Sequence, residues 1–205
     1  MNENEMLEFA RYFHDGVISA PYALGIKLTL AALDKLGIKN PRIKDLFVIS
    51  ETRHCFMDGI QVVSKATYGC GDLIIKNYGK LALTMLDKKT GNAVRVTVTP
   101  NFQKKMTDIS NKIRELFKLN DRKKILEITE NFGEEIMDMK MQDICIVKNV
   151  RITDNSLIEN ASIKHKEFLC ENCGESILDY AVKVIAGKSL CPICAKTDKY
   201  YEIIE

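Results

Sequence analysis

Four cysteines near the carboxy terminus have the spacing of a zinc site. Cys170 and Cys173 form one C-x2-C pair, and Cys191 and Cys194 form a second pair after 17 intervening residues. Each pair can grip one ion from a single tight turn, and the two pairs together offer four thiolates in a tetrahedron. That closed, all-sulfur arrangement is typical of structural zinc. The sequence therefore predicts one structural Zn²⁺ per chain.

A second group of residues that could do chemistry lies in the first half of the chain. It comprises His14, the pair His54-Cys55, and Asp58. Cys55 is expected at the start of a helix, where the partial positive charge of the helix terminus favours a thiolate. Two alternatives stand. Cys55 acts as nucleophile or metal ligand with His14 or Asp58 as acid or base, or all three are ordinary structural side chains.

The elements that must position these residues follow an α+β pattern. Apolar residues at helical spacing predict a helix from Pro21 to Leu36, ended by Gly37. A short apolar run at 46–50 predicts a buried strand, and a helix at 56–67 follows it. Further predicted elements are a hairpin of strands 81–87 and 93–99, helices carrying apolar stripes over 102–116 and 125–132, and a strand over 144–152.

These elements predict a mixed helix and sheet core domain followed by a small zinc ribbon or treble-clef-like module. The core is expected over residues 1–152, a polar linker over 153–164, and the zinc module over 165–205. Asn120 is the expected N-cap of the second striped helix, and Gly133 its expected end. A small hairpin is expected at 177–187, between the two cysteine pairs.

Composition narrows the class of protein. The chain has 205 residues with 46% hydrophobic content, which suits one domain and a small appendage. Seven cysteines, four of them assigned to zinc, suit a reducing compartment. The polar and acidic start carries no secretory signal pattern, and the sequence holds no run of about 18 apolar residues. We expect a cytoplasmic protein without a membrane partner.

The charge distribution argues against nucleic acid as the partner of the zinc module. Residues 164–205 hold six Lys against seven Asp and Glu, whereas phosphate binding depends on an excess of Lys and Arg. Residues 104–124 hold eight basic and three acidic residues. That segment is interpreted as the solvated face of two amphipathic helices, with an electrostatic patch for an acidic partner as the alternative.

Several short motifs, in order, resemble the core domain of the FmdE component of formylmethanofuran dehydrogenase and its FmdE-like relatives. They are Cys55, Asp58-Gly59-Ile60-Gln61, Thr67-Tyr68-Gly69-Cys70-Gly71-Asp72-Leu73, Tyr78-Gly79-Lys80 and Thr90-Gly91-Asn92-Ala93-Val94-Arg95, preceded by Phe13-His14 and Ala23-Leu24-Gly25. The resemblance implies an α+β core, a homodimer formed through it, a His/Cys/Asp pocket able to hold a metal, and a C-terminal zinc finger.

The opening segment departs from the family pattern. Relatives carry a His-Gly-His-x-Cys-Pro-Gly run, whereas this chain keeps one imidazole, His14, and has Ser19 at the apparent cysteine position. A hydroxyl is a poorer zinc ligand than a thiolate. The alternatives for the core are an open site of His14, Cys55 and His54, or no metal there.

Three functions are compatible with these features. The first is an FmdE-like zinc-binding accessory protein whose partners include dehydrogenase subunits, with a degenerate core pocket for a metal or small ligand. The second is a zinc-ribbon adaptor that binds protein or nucleic acid. The third is a small metal- or thiol-dependent enzyme using His14, Cys55 and Asp58. The redox chemistry of the dehydrogenase itself is not expected in this chain, because a family label does not transfer a reaction.

Overall fold

The computed structural model describes residues 3–14, 16–42, 44–160 and 165–198. The chain divides into two compact units, Met1–Ala161 and Ser162–Glu205. Within the described residues, every helix is too short or too polar to cross a bilayer. The mixture of helices and strands confirms the predicted α+β class.

The first unit is built around one central helix. Helix α1 spans Glu3–Phe13, and α2 spans Ala20–Leu36. α2 is apolar on nearly all sides and packs against the sheet and against two other helices, α3 and α5, described below. Gly37 ends α2 in the left-handed conformation with φ 71°, as predicted.

A five-stranded sheet packs on α2. Its strands are β1 Leu46–Ser50, β2 Leu73–Ile75, β3 Ala82–Asp87, β4 Ala93–Val98 and β5 Cys145–Val150, in the order β2-β1-β3-β4-β5. β1 and β2 are parallel and are joined by helix α3, Cys55–Ser64, while the other pairs are antiparallel. This crossover places the start of α3 at the end of β1.

Each face of the sheet carries its own apolar cluster. Val48 and Met85 point into the main core with α2, whereas Phe47, Ile49 and Leu86 form a second cluster on the opposite face. β1 is buried on both sides, which explains its uninterrupted apolar sequence.

The helices after the sheet correct two sequence predictions. α4 spans Pro100–Lys118 and α5 spans Arg122–Asp138. Asn120 is not the N-cap of α5: Asp121 accepts the capping bond from the Lys124 amide, while Asn120 takes a positive φ of 56° in the turn. Gly133 does not end α5. A Cβ there would lie 2.2 Å from the Ile18 carbonyl oxygen, so close packing explains the glycine.

Shorter helices complete the first unit. α6 spans Met141–Ile144 and leads into β5, and α7 spans Ser156–Asn160. α7 lies within the predicted polar linker, and its Leu157 and Ile158 pack on the second cluster. Residues 161–164 of that linker lie outside the described residues.

The second unit consists of two small hairpins. β6 Glu167–Leu169 pairs with β7 Ser176–Leu178, a 3-10 turn follows at Asp179–Ala181, and β8 Lys183–Ile185 pairs with β9 Lys188–Leu190. The predicted hairpin is thus shorter than expected, with its turn at Ala186-Gly187. Residues 199–205 of the predicted zinc module lie outside the described part of the chain.

Candidate functional site

The two hairpins of the second unit bring the four predicted zinc cysteines together. Cys170 and Cys173 lie in the turn between β6 and β7, and Cys191 and Cys194 lie directly after β9. Their four sulfur atoms lie within 4.8 Å of one another. Gly174, with φ 76°, turns the chain back toward β7 after the first pair.

The geometry and hydrogen bonding of this group fit zinc. The Sγ atoms of Cys173 and Cys191 are 4.0 Å apart, close to the roughly 3.8 Å edge of a tetrahedron with Zn–S bonds of about 2.3 Å. The Cys191 amide donates to Cys170 Sγ at 3.3 Å, and the Cys194 amide donates to Cys191 Sγ at 3.4 Å. Such N–H donors stabilise thiolates. Those of Cys173 and Cys191 lower the pKa of the Cys170 thiol to about 6.

A second group that could hold a metal lies in the first unit. His14 follows α1, Cys55 is the first residue of α3, and Asp58 is in the first turn of α3. Their ligand atoms all lie within 4.8 Å of one another. The structure therefore brings together the three residues of the predicted pocket, while their chemical role stays a prediction.

Close packing of α2 on α3 sets the position of this group. A Cβ at Gly25 would lie 2.1 Å from the Phe56 carbonyl oxygen, and one at Gly59 would lie 2.3 Å from the Tyr22 carbonyl oxygen. The two glycines therefore let the helix backbones touch. Because Cys55 and Asp58 lie within one turn of this crossing, the contact fixes both side chains relative to α2.

Arg11 anchors the turn that carries His14. Its guanidinium donates to the Gly16 carbonyl at 2.8 Å, to Glu130 at 2.6 Å and to Glu134 at 3.1 Å. The turn at the end of α1 is thereby tied to α5. Nothing in the local sequence indicated this role, because the carboxylates lie more than 100 positions away along the chain.

The imidazole of His14 has an unused ring nitrogen directed toward Asp58. Its Nε2 lies 3.3 Å from Asp58 Oδ2, yet the angle does not make a hydrogen bond, and the buried Nε2 has no partner among the described residues. A buried nitrogen without a partner is costly unless something binds it. An imidazole, a thiol and a carboxylate fit a zinc ion with one position open.

Two other predicted residues lie outside this group. The Ser19 hydroxyl caps α2 by accepting from the Tyr22 amide at 3.4 Å, so it has a structural use at the family's cysteine position. His54 is the N-cap residue of α3 but makes no side-chain capping bond. Among the described residues, Asp58 rather than His54 joins His14 and Cys55.

Tyr22 is a neighbour of the core group that sequence reasoning missed. Its ring meets the His14 ring edge-on at 5.4 Å between centroids, and its hydroxyl donates to the Met6 carbonyl at 2.9 Å. Burial, with a smaller contribution from the Asp58 carboxylate, raises the pKa of Tyr22 to about 12. The phenol therefore stays neutral and holds the imidazole in place rather than acting as a base.

A cleft of about 520 Å³ begins beside the core group. His54 and Thr52 line one wall with Pro21, and α4 contributes half-buried Met106 and Ile113 to the opposite wall. This volume is within the usual range for small-molecule sites, about 300–1,000 Å³. The cleft gives a small ligand a route to the neighbourhood of Cys55.

Comparison with known proteins supports the resemblance seen in the motifs. The family model described as "FmdE, Molybdenum formylmethanofuran dehydrogenase operon" matches residues 13–146. The crystal structure of an FmdE-like protein of tungsten formylmethanofuran dehydrogenase, from Syntrophus aciditrophicus, is similar, with a TM-score of 0.63 and 26% identity. The match covers 97% of this chain and 94% of that one.

A curated relative carries a different description. A "Probable S-adenosyl-L-methionine-binding protein" from Archaeoglobus fulgidus is 31% identical over 206 aligned residues, which cover 95% of this chain and 53% of the relative. The chain thus spans about half the length of the curated relative it matches.

Proposed function

This chain belongs to the FmdE family, and we propose that it is a metal-binding accessory protein with two separate metal sites. A structural zinc ion orders the second unit, and a further metal ion is held in the core. The convergence of His14, Cys55 and Asp58 within 4.8 Å carries the proposal, together with the unpartnered Nε2 of His14.

The three core side chains have distinct parts in this proposal. His14 offers the lone pair of Nε2, which requires the proton to sit on Nδ1. Cys55 offers a thiolate at the amino end of α3, where the helix dipole stabilises negative charge. Asp58 offers a carboxylate oxygen. A zinc ion with three protein ligands keeps one position for water or substrate and acts there as a Lewis acid.

Metal content tests the core site. We expect two zinc equivalents per chain in the purified protein and one in His14→Ala or Cys55→Ser, because each change removes one of three core ligands. Elemental analysis measures the total, and cobalt substitution distinguishes a one-thiolate site from a four-thiolate site by its absorption.

Cys70→Ser is the matched control, since Cys70 is exposed and belongs to neither group. It should keep both equivalents. A wild-type protein that holds one equivalent, unchanged by His14→Ala, would contradict the core site and leave the four-cysteine site standing.

We propose that the protein forms a homodimer through its core unit. The α4–α5 turn region supports this, because Phe117, Leu119 and Leu126 are large apolar side chains left exposed there. Sedimentation should give twice the chain mass, and Phe117→Ser should weaken association, whereas exposed Lys118→Ser should not. A monomer at all concentrations would argue against the dimer.

Dehydrogenase subunits are the second proposed class of partner. The support is the similarity of this chain to the Syntrophus protein, which is described as FmdE-like and assigned to a tungsten formylmethanofuran dehydrogenase. Copurification of the tagged chain with such an enzyme tests the association. Recovery of the chain without any dehydrogenase subunits from cells that produce the enzyme would count against it.

S-adenosyl-L-methionine is a second candidate ligand, suggested by the description of the Archaeoglobus relative. The cleft beside the core group supports this candidate, because it combines adequate volume with apolar Met106 and Ile113 on one wall. Calorimetric titration should show one site, abolished by Ile113→Arg and kept in the exposed control Lys112→Arg. Absence of heat with the wild-type protein would remove this candidate.

A further inference from the structure

The first unit has another cleft, of about 740 Å³, on a different side from the core group. It is bounded by the end of α2, the turn between β3 and β4, the end of β5 and the segment before α7. Its lining shares no residue with the cleft beside Cys55. A ligand there would therefore be bound independently of the core metal.

The charge of this cleft has one sign. Lys35 and Arg151 line it, and no Asp or Glu is among its lining residues. The carboxylate of Asp87, in the adjoining β3–β4 turn, accepts from the Lys89 amide at 2.9 Å and from the Thr90 hydroxyl at 2.7 Å. It is thus engaged in the turn, and the two cations are left to attract an anionic group.

The polar side chains of the cleft have spare hydrogen-bonding capacity. Asn92, Asn149 and Asn155 line it, and among the described residues their carboxamides have no hydrogen-bond partner. Lys35 and Arg151 likewise have no ion-pair partner within the described ranges. Each carboxamide offers both donors and an acceptor, as the edge of a heterocyclic base requires.

The floor of the cleft is apolar and firmly supported. Leu86 and Ala93 are buried members of the second cluster, and Val150 and Ile152 pack against them. A flat ring could lie on this floor while its polar edge meets the carboxamides. Apolar lining with a few converging polar groups is the usual composition of a small-molecule site.

We propose that this cleft binds a nucleotide, with the phosphate at Lys35 and Arg151 and the base on the floor of Leu86 and Val150. The three asparagines contact the edges of the base and the sugar. The site is separate from both metal groups, and binding there needs neither metal.

Titration of the full-length protein with ADP tests the proposal. ADP should bind at one site per chain, and Arg151→Ala should weaken it about tenfold or more, because one charge-assisted contact is lost. Asn149→Leu should weaken ADP as well. The exposed control Arg122→Ala, on α5 and outside the cleft, should bind ADP like the wild type. The Cys55→Ser variant should also bind normally, which separates this test from that of the core metal.

Three results would overturn the proposal. These are no binding of ADP, equal binding by wild type and Arg151→Ala, or displacement of ADP by inorganic phosphate at similar concentration. The last would show an anion patch that does not recognise a base. Adenosine should bind at least tenfold more weakly than ADP, since it lacks the charged group that the cations would hold.

Discussion

Removal of zinc is expected to unfold the described part of the second unit, residues 165–198, while the core unit keeps its cooperative transition. The buried residues of the second unit's apolar cluster are Cys170, Ile177 and Cys191, and two of them are predicted metal ligands. A segment of this size rarely holds a stable core without a metal or disulfide. Structural zinc contributes an apparent 10–16 kcal/mol or so, far more than such a cluster.

Hydrogen exchange read by mass spectrometry measures this effect segment by segment. After chelation, or in Cys191→Ser, amides in 165–198 should lose protection, whereas those of α2 and β1 should keep theirs. The exposed cysteine variant Cys70→Ser is the control and should exchange like the wild type. Protection of 165–198 in the metal-free chain would show that something other than zinc orders this unit.

Features written in consecutive residues were predictable from the sequence. The two C-x2-C pairs specify their own turns, so the four cysteines could be assigned to one site before any fold was known. The length of α2 and its end at Gly37 followed from apolar spacing and a capping glycine, both of which act within a few residues. The alternation of β4 likewise predicted its buried and exposed faces.

Features that depend on distant contacts were missed or misassigned. Gly133 has the composition of a helix end, yet α5 continues through it because the backbone of Ile18 lies against it. Strand β2 has three residues, too few to show a period, and its parallel pairing with β1 is set by α3. The Arg11 contacts with α5 could not be read from neighbouring residues.

The core group lies between these two cases. Residue types suggested that His14, Cys55 and Asp58 belong together, but His54 was an equal candidate by type. The decisive fact is the helical phase at the start of α3, which turns Asp58 toward His14 and leaves His54 beside the cleft. Chain direction at a helix start depends on packing, here on the crossing of α2 and α3.

Substitution of Gly25 by valine is expected to cause a large loss of core stability, the largest among single changes outside the zinc site. Its Cβ would lie 2.1 Å from the Phe56 carbonyl oxygen and 3.1 Å from the Gly59 Cα. Both are backbone atoms of α3, so relief requires the helix to move away from α2. Overpacking of this kind costs more than the usual 1–3 kcal/mol, and we expect about 4 kcal/mol or more.

Thermal and denaturant unfolding of the core measure the loss, expected as a fall in melting temperature of about 10 °C or more for a chain of this size. Gly69→Ala is the matched control, because nothing lies within 4 Å of its added Cβ and its φ is not positive. If Gly25→Ala were as stable as Gly69→Ala, the backbone contact would not be essential. A displaced α3 would also carry Cys55 and Asp58 away from His14. Any Gly25→Val protein that still folds should therefore lose the core metal while keeping the four-thiolate zinc, since the second unit does not depend on this crossing.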